Sequence, residues 1–132
     1  TPPQHDDFRL EIKNLVDRAV EGTTIKARLH FTGLVGSLVP DMLRPQLTAV
    51  LREAMSNAVR HAAATTIDVS LTAADDAVTV TVNDDGVGLD PSGTRRSGLA
   101  NIATRAAEFG GDFTIGPGER GAGTRLVWTA PL

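Results

Sequence analysis

The sequence predicts an α+β two-layer sandwich, in which a mixed and mostly antiparallel sheet carries its helices on one face. The 132 residues suffice for a single domain with a workable hydrophobic core. Three segments repeat their apolar residues at the three- and four-residue steps of an amphipathic helix, and five shorter segments alternate apolar with polar residues as strands do. This order of helices and strands is typical of one sheet covered by one layer of helices.

The chain opens with a predicted helix and a predicted strand. Residues 7–20 show helical periodicity, and Gly22 marks the end of that helix. Residues 24–32 alternate, with lysine, arginine and histidine on the polar side, which predicts a half-buried strand with one wet face. We interpret residues 1–6 as the remnant of a linker and residues 33–40 as a loop or a short strand.

The longest predicted helix covers residues 45–62. Pro45 suits its first turn, because proline lacks the backbone N–H that a helix start leaves unpaired. Two alternating strands follow at residues 66–72 and 77–82, and the aspartates at 75–76 between them predict a hairpin turn. A core-facing apolar stripe along the helix consists of Leu47, Val50, Leu51, Ala54, Met55, Ala58, Val59 and Ala62.

The last third of the chain is predicted to hold a loop, a helix and a hairpin. Residues 86–97 are polar, contain glycines and are interrupted by Pro91, which is typical of a mobile loop. Residues 98–109 have helical periodicity, and the two glycines after them end that helix. Residues 113–115 and 124–130 are the last two predicted strands, joined by a glycine-containing turn.

The composition argues against several classes of partner. With 13 basic and 16 acidic residues the net charge is -3, and no basic stripe is present, so we expect no nucleic-acid partner. Four phenylalanines, one tryptophan and no tyrosine offer few surfaces on which bases could stack. No long apolar run is present, so we expect no membrane contact. The absence of cysteine is compatible with a reducing cytoplasm, where we expect this domain.

One side of the long helix carries polar groups that suit a nucleotide. Glu53, Asn57 and His61 are spaced by four residues, and Arg60 follows Asn57 by three, so they lie on one face. An amide oxygen is an acceptable ligand for Mg²⁺, and a guanidinium can neutralise phosphate charge. An ordinary solvated helix face would carry the same residues, so this pattern alone leaves both interpretations open.

A glycine turn follows the second strand of the predicted hairpin. That strand runs directly into Asp84, Gly86 and Gly88. A carboxylate at a strand end can accept a hydrogen bond from an exocyclic amine, and glycines let the backbone approach a ligand closely. Aspartate and glycine in this order are also the usual residues of a plain turn.

Two further glycine segments lie nearer the C-terminus. Gly98 opens the predicted third helix, and two arginines precede it at positions 95 and 96. The free N–H groups and the positive dipole end of a helix start suit a triphosphate, while Ser97 as an N-cap residue explains the same pattern. The segment of residues 121–124, which ends in Thr124, is by itself a hairpin turn.

Together these segments resemble the ATP site of the GHKL superfamily, which contains gyrase-type ATPases, Hsp90, MutL and the histidine kinases. Residues 53–62 are similar to the N box of histidine kinases, residues 84–88 to the G1 box and residues 98–111 to the G2 box. The last segment is especially similar to the G-L-x-N-I-x-x-R-A-x-x-x-G-G pattern of NarX/DesK-type kinases. The alanine- and arginine-rich composition is similar to that of mycobacterial dormancy sensors in this branch.

The resemblance implies the Bergerat/GHKL fold and the catalytic ATP-binding domain of a sensor histidine kinase, filling residues 1–132. In that family's site Asp84 would bind the adenine amine, and Thr124 would assist it through water. Gly86 and Gly88 would let the ATP lid, which is short here at residues 89–97, approach the nucleotide.

Other positions would serve the metal and the phosphates. By the same resemblance, Asn57 would ligate Mg²⁺, and Arg60 and His61 would meet the phosphates. Gly98 and Leu99 would offer them backbone N–H groups. These roles amount to positioning and charge neutralisation, which are what phosphoryl transfer mainly requires.

Some positions depart from the family pattern. Glu53 stands where gyrase-type relatives hold a water-activating base, and in a kinase it would instead orient the acceptor imidazole or the Mg²⁺ shell. The F box is missing, and Ser97 occupies a position that is often histidine in this branch. None of the three histidines lies in a phosphoacceptor motif, so we expect the dimerisation and phosphoacceptor domain to lie outside this chain. The other expected partner is a response regulator, and the full-length protein would be a homodimer.

Three alternatives share the fold. A stand-alone anti-sigma-factor serine kinase has this size, although the segment of residues 98–111 argues against it. A non-catalytic nucleotide-binding module would have a degenerate site, and the presence of Asn57, Asp84 and Gly98 argues against this alternative. A clamp-type ATPase would need a transducer domain that supplies a catalytic lysine.

Overall fold

A computed structural model describes residues 4–33, 35–61, 64–74, 76–86, 96–118 and 123–132. Nine elements follow one another in this part of the chain. They are α1 (Gln4–Ala19), β1 (Lys26–Gly33), α2 (Val35–Leu38), α3 (Arg44–His61), β2 (Thr66–Ala74), β3 (Ala77–Asp84), α4 (Arg96–Glu108), β4 (Asp112–Pro117) and β5 (Thr124–Pro131).

The five strands form one sheet in the order β1-β2-β3-β5-β4. β1 and β2 are parallel, while the β2–β3, β3–β5 and β4–β5 pairs are antiparallel. Parallel neighbours require a crossover connection, and α2 and α3 supply it between β1 and β2. The predicted mixed, mostly antiparallel sheet is therefore confirmed.

The helices cover one face of this sheet. Alternate residues of β2, β3 and β5 are buried on that face, as the period of two requires. α3 lies between α1 and α4 and contacts both. The three strands contribute the inward-facing rows Ile67, Val69, Leu71 and Ala73; Val78, Val80, Val82 and Asp84; and Thr124, Leu126, Trp128 and Ala130.

Two hydrogen bonds fasten α4 to its neighbours. The fully buried indole of Trp128 donates from Nε1 to the carbonyl oxygen of Ile102 at 3.2 Å. On the other side Arg105 Nη1 donates to Gln46 Oε1 at 2.6 Å, which ties α4 to the first turn of α3. The middle and the last turn of α4 are thus held in a defined position relative to the sheet and to α3.

Besides shifts of a few residues at several strand ends, the structure differs from the prediction at the start of α1, at residues 35–38 and at the start of α4. α1 begins at Gln4, so residues 4–6 belong to the helix rather than to a linker. Residues 35–38 form the one-turn helix α2 rather than a strand, because Val35 and Val39, spaced at helical periodicity, are both buried. α4 begins at Arg96, two residues before Gly98, so Ser97 lies inside the helix instead of capping it. Within the described ranges no helix has the length and apolar character needed to cross a bilayer.

Candidate functional site

Asp84 occupies the last inward-facing position of β3. Because side chains alternate along a strand, it continues the row of Val78, Val80 and Val82 and lies on the helix-covered face. Only 5% of Asp84 is exposed. Its Oδ1 accepts a hydrogen bond from the N–H of Gly86 at 2.9 Å. The turn that follows the strand therefore orients the buried carboxylate.

Thr124 is the residue directly opposite Asp84 in the β3–β5 ladder. Opposed residues in such a pair place their Cβ atoms about 5 Å apart. Thr124 is also 5% exposed, and its Oγ1 is a buried atom without a hydrogen-bond partner among the described residues. A carboxylate and an unpaired hydroxyl thus lie side by side beneath α3.

Asn57 of α3 completes this polar group from above the sheet. It lines the same small cavity as Asp84 and Thr124, and its Nδ2 is likewise buried without a partner in the described part of the chain. An unsatisfied buried donor or acceptor costs about 1–3 kcal/mol. Two such atoms facing one cavity indicate a site built to receive a polar ligand.

Apolar side chains from four elements, α3, β3, β4 and β5, form the remaining walls. The cavity measures about 20 Å³, which is room for about one water molecule. A nucleotide base is much larger, so the walls must separate to admit one. The wall residues, which the sequence assigned only to the core, are Ala54, Ala58, Val82, Ile115 and Leu126. The small side chains of Ala54 and Ala58, one turn apart on the apolar stripe of α3, are the feature of the sequence that could have indicated a cavity at this position.

Gly123 joins this site through its backbone. Its φ is +79°, and a Cβ added to it would lie 1.9 Å from the carbonyl oxygen of Asp84. Its own carbonyl oxygen accepts a hydrogen bond from the N–H of Gly118 at 3.3 Å. Gly123 therefore packs directly against the backbone of Asp84, a contact that the sequence analysis did not assign to it.

Asp85, the next residue, points away from the cavity and has a different role. Its Oδ1 accepts from the N–H groups of Thr65 and Thr66 at 2.8 and 2.9 Å, and its Oδ2 accepts from Thr65 Oγ1 at 2.6 Å. The Thr65 hydroxyl and the backbone N–H of Thr66 are the main causes that lower the pKa of Asp85 from 3.8 to about 2. Asp85 therefore fixes the start of β2.

We expect Asp85→Asn to lower the free energy of unfolding at neutral pH by about 1 kcal/mol, because the carboxylate is exposed and its interactions are screened. Since the folded pKa is about 2 and the ordinary value is 3.8, this contribution is present above the ordinary pKa. It is lost as the pH falls towards the folded pKa. Urea unfolding of the native chain and the variant across this acid range tests the expectation.

Asp112→Asn is the matched control, since Asp112 is exposed and its side chain makes no hydrogen bond within the described ranges. Its stability difference from the native chain should stay small at every pH. A difference for Asp85→Asn that is independent of pH would contradict the assignment.

Neither Glu53 nor Arg60, the other predicted α3 residues whose side chains are described, lines the cavity of Asn57. Glu53 is half-buried one turn earlier. Arg60 is exposed and lines a separate groove between α1 and α3 rather than the cavity of Asn57. His61 is the last residue of α3, and its side chain lies outside the described set.

The structure describes only some of the residues predicted in the glycine-rich segments. Gly86 bonds to Asp84 as described, while Gly88 and residues 89–95 of the predicted lid lie outside the described residues. Gly98 is the third residue of α4 and lies in the stretch whose backbone N–H groups a helix leaves without internal partners, whereas internal hydrogen bonding begins at Leu99, the fourth. The structure thus brings Asn57, Asp84 and Thr124 together and places the α4 start in the same domain.

Comparisons with known proteins place this geometry in a family. The family profile described as "Histidine kinase-, DNA gyrase B-, and HSP90-like ATPase" matches residues 42–132. The sensor histidine kinase LnrJ of Bacillus subtilis is 36% identical over 75 residues, which are 57% of this chain and 18% of LnrJ. The nitrate/nitrite sensor protein NarX of Escherichia coli is 34% identical over 94 residues, 70% of this chain and 16% of NarX.

A solved structure agrees on the fold. The histidine kinase domain of the blue-light activated histidine kinase from Erythrobacter litoralis EL346 superposes with a TM-score of 0.76 at 19% identity, covering 98% of this chain and 61% of that one. This chain spans less than a fifth of the length of LnrJ or NarX. The match over more than half of its residues shows that the chain belongs to the histidine kinase-, DNA gyrase B- and HSP90-like ATPase family.

Proposed function

We propose that this chain is the ATP-binding catalytic domain of a two-component sensor histidine kinase. Membership of an ATPase family implies that it binds ATP. The observation that supports the proposal most directly is the convergence of Asn57, Asp84 and Thr124 on one cavity. Two buried polar atoms without described partners there match a ligand that both donates and accepts hydrogen bonds.

Asp84 and Thr124 would recognise the base. The exocyclic amine of adenine is a donor, and a buried carboxylate at the end of β3 is its natural acceptor. Thr124, beside Asp84, would hold a bridging water, for which its unpaired Oγ1 offers one hydrogen bond. The apolar side chains of Val82, Ile115 and Leu126 would contact the faces of the base.

Asn57 is the side chain that would hold Mg²⁺. The described residues contain no group of three or more histidine, aspartate or glutamate side chains that could hold a metal ion. Mg²⁺ does not need one, because it commonly binds through one or two protein ligands, substrate phosphates and water. When bound, the ion neutralises phosphate charge. The side-chain carbonyl oxygen of Asn57 is a neutral ligand of the kind that Mg²⁺ accepts.

The start of α4 and the end of α3 would serve the phosphates. Gly98 would direct its backbone N–H from the first turn of α4 towards them. His61 would meet the phosphates from the end of α3, while Arg60 faces the groove between α1 and α3, and Glu53 would orient the acceptor. The γ-phosphoryl would then pass to a histidine nitrogen while ADP leaves.

The acceptor and its partners would be supplied by the full-length protein. The phosphoacceptor histidine would belong to a dimerisation domain outside this chain, and a response regulator aspartate would receive the phosphoryl group in the cytoplasm. In a homodimer of the full-length protein, radiolabelled ATP should yield an acid-labile phosphohistidine. An acid-stable phosphoserine on an added partner protein would instead support an anti-sigma-factor serine kinase.

Asn57→Ala tests the metal role in this chain. We expect calorimetry with Mg²⁺ to show ATP affinity reduced about tenfold, or about 1.4 kcal/mol, because the metal loses its protein ligand. Adenosine affinity should change much less, since adenosine carries no phosphate. Equal losses for ATP and adenosine would assign Asn57 to the base pocket instead and contradict its metal role.

A further inference from the structure

A second cavity lies between α1 and α3, apart from the one that holds Asp84. This α1–α3 groove has a volume of about 580 Å³, which is within the usual range for a binding site. It is lined by α1 residues from 11 to 19 and α3 residues from 52 to 60. Neither Asp84 nor Thr124 contributes to it, so it is separate from the proposed adenine pocket.

Positive charge dominates the walls of the groove. Arg18, Arg52 and Arg60 line it against a single carboxylate, that of Glu11. All three arginines are exposed, and within the described ranges none of their side chains makes a hydrogen bond or an ion pair. Other arginines of this chain do find partners, as Arg28 does with Asp68 and Arg105 with Gln46.

The helix dipole accounts for only part of this pattern. Arg18 and Arg60 lie in the last turns of α1 and α3, where a cation interacts favourably with the negative dipole end. Arg52 lies in the middle of α3, so the dipole gives no reason for its charge. Between the arginines, the half-buried side chains of Leu15 and Val59 provide an apolar floor.

The spacing of the charges indicates the shape of the partner. Arg52 and Arg60 are eight residues apart on one helix, which is about 12 Å along its axis. A row of cations of that length matches an extended anion better than a compact one. Carboxylates seven or eight residues apart on a second helix span nearly the same distance, and a helix between two helices can seat its apolar ridge in their groove.

We propose that the α1–α3 groove binds an acidic amphipathic helix. The carboxylates of that helix, about two turns apart, would pair with Arg52 and Arg60, and a third would meet Arg18. Its apolar side chains would contact Leu15 and Val59. Binding of an amphipathic helix in a groove is a common form of peptide recognition, in which apolar contacts give affinity and charges set orientation.

The test uses a labelled synthetic helix of about 18 residues, with glutamates two turns apart and leucines between them. A second peptide carries lysines in place of the glutamates. By fluorescence anisotropy at low salt we expect the acidic peptide to bind this chain with a Kd on the order of 10 µM, and the basic peptide not to bind. Arg52→Glu should weaken binding about tenfold, and added salt should weaken it further.

Lys26→Glu is the matched control, because Lys26 is exposed on β1 and its substitution makes the same change of charge. It should leave peptide affinity within about twofold of the native value. Thermal unfolding confirms that each variant is folded. The inference is overturned if the acidic peptide does not bind, if both variants behave alike, or if inorganic phosphate at matched ionic strength displaces the peptide.

The inference and the proposed function can fail separately. ATP titration of the same Arg52→Glu protein should give the native affinity, because Arg52 does not line the cavity of Asp84. Loss of peptide binding with ATP binding intact places the peptide in the groove. Peptide binding by a chain that does not bind ATP would leave the groove inference standing and remove the proposed function.

Discussion

Asp84→Asn is expected to weaken ATP binding at least about a hundredfold, which corresponds to about 2.7 kcal/mol. The substitution replaces a buried carboxylate by an amide that can present an N–H to the adenine amine, so two donors would face each other. A mismatched or unpaired polar group in a buried site carries a penalty of this size. The amide retains an oxygen for the N–H of Gly86, so the turn after β3 should keep its shape.

Asp85→Asn is the natural control for this experiment, because it makes the same chemical change one residue away on the opposite face of the strand. Its ATP affinity should match that of the native chain when both are titrated at a temperature where both are folded. If the two variants lose affinity equally, the carboxylate does not recognise the base and the adenine pocket lies elsewhere. Calorimetry with adenosine as well as ATP separates loss of base recognition from loss of phosphate contacts.

Gly123→Ala is expected to destabilise the fold by about 3 kcal/mol. About 1 kcal/mol comes from forcing an L-residue into a positive φ, and the remainder from the contact at 1.9 Å between the new Cβ and the carbonyl oxygen of Asp84. Backbone atoms of β3 must move to relieve that contact. We therefore expect the remaining folded protein to lose ATP affinity as well. Urea denaturation and calorimetry measure the two effects.

Gly22→Ala separates the two contributions. Gly22 has nearly the same φ, +78°, but nothing lies within 4 Å of the added Cβ. This variant should therefore lose only about 1 kcal/mol and should bind ATP normally. Equal destabilisation of the two variants would mean that backbone conformation alone explains the effect, and that β3 tolerates a side chain at position 123.

The sequence predicted the sheet because strands depend on local periodicity, whereas the roles of the candidate site residues were inferred from the family resemblance and stay predictions. Alternation along residues 77–82 fixes which side of β3 is buried, and extending it by two residues places Asp84 on the same side. Helical spacing likewise placed Asn57 next to the apolar stripe of α3. The predicted start of α4 was wrong by two residues, because no residue there forbids an additional half-turn.

Other features depend on contacts between distant segments, which periodicity does not reveal. The role of Asp85 requires Thr65, 20 residues earlier, to lie beside it. The requirement for glycine at 123 comes from the backbone of Asp84, and the basic groove exists only because α1 packs against α3. The helical turn at residues 35–38 is too short to carry a periodic signal, and only its buried valines show why it forms.

Because β3 pairs with β5 in a fixed register, its side chains alternate between the two faces of the sheet, and the site depends on whether a residue occupies an even or an odd position. Asp84 and Asp85 are adjacent and chemically identical, and only the odd or even position along β3 decides which of them faces the cavity. Deleting one residue from within β3 would bring Asp85 to the inward-facing position and turn Asp84 to the other face of the sheet, although both aspartates would still be present. Deleting two would restore the original faces and displace the carboxylate along the strand. Which carboxylate faces the cavity therefore depends on the number of residues in β3 as well as on their identity.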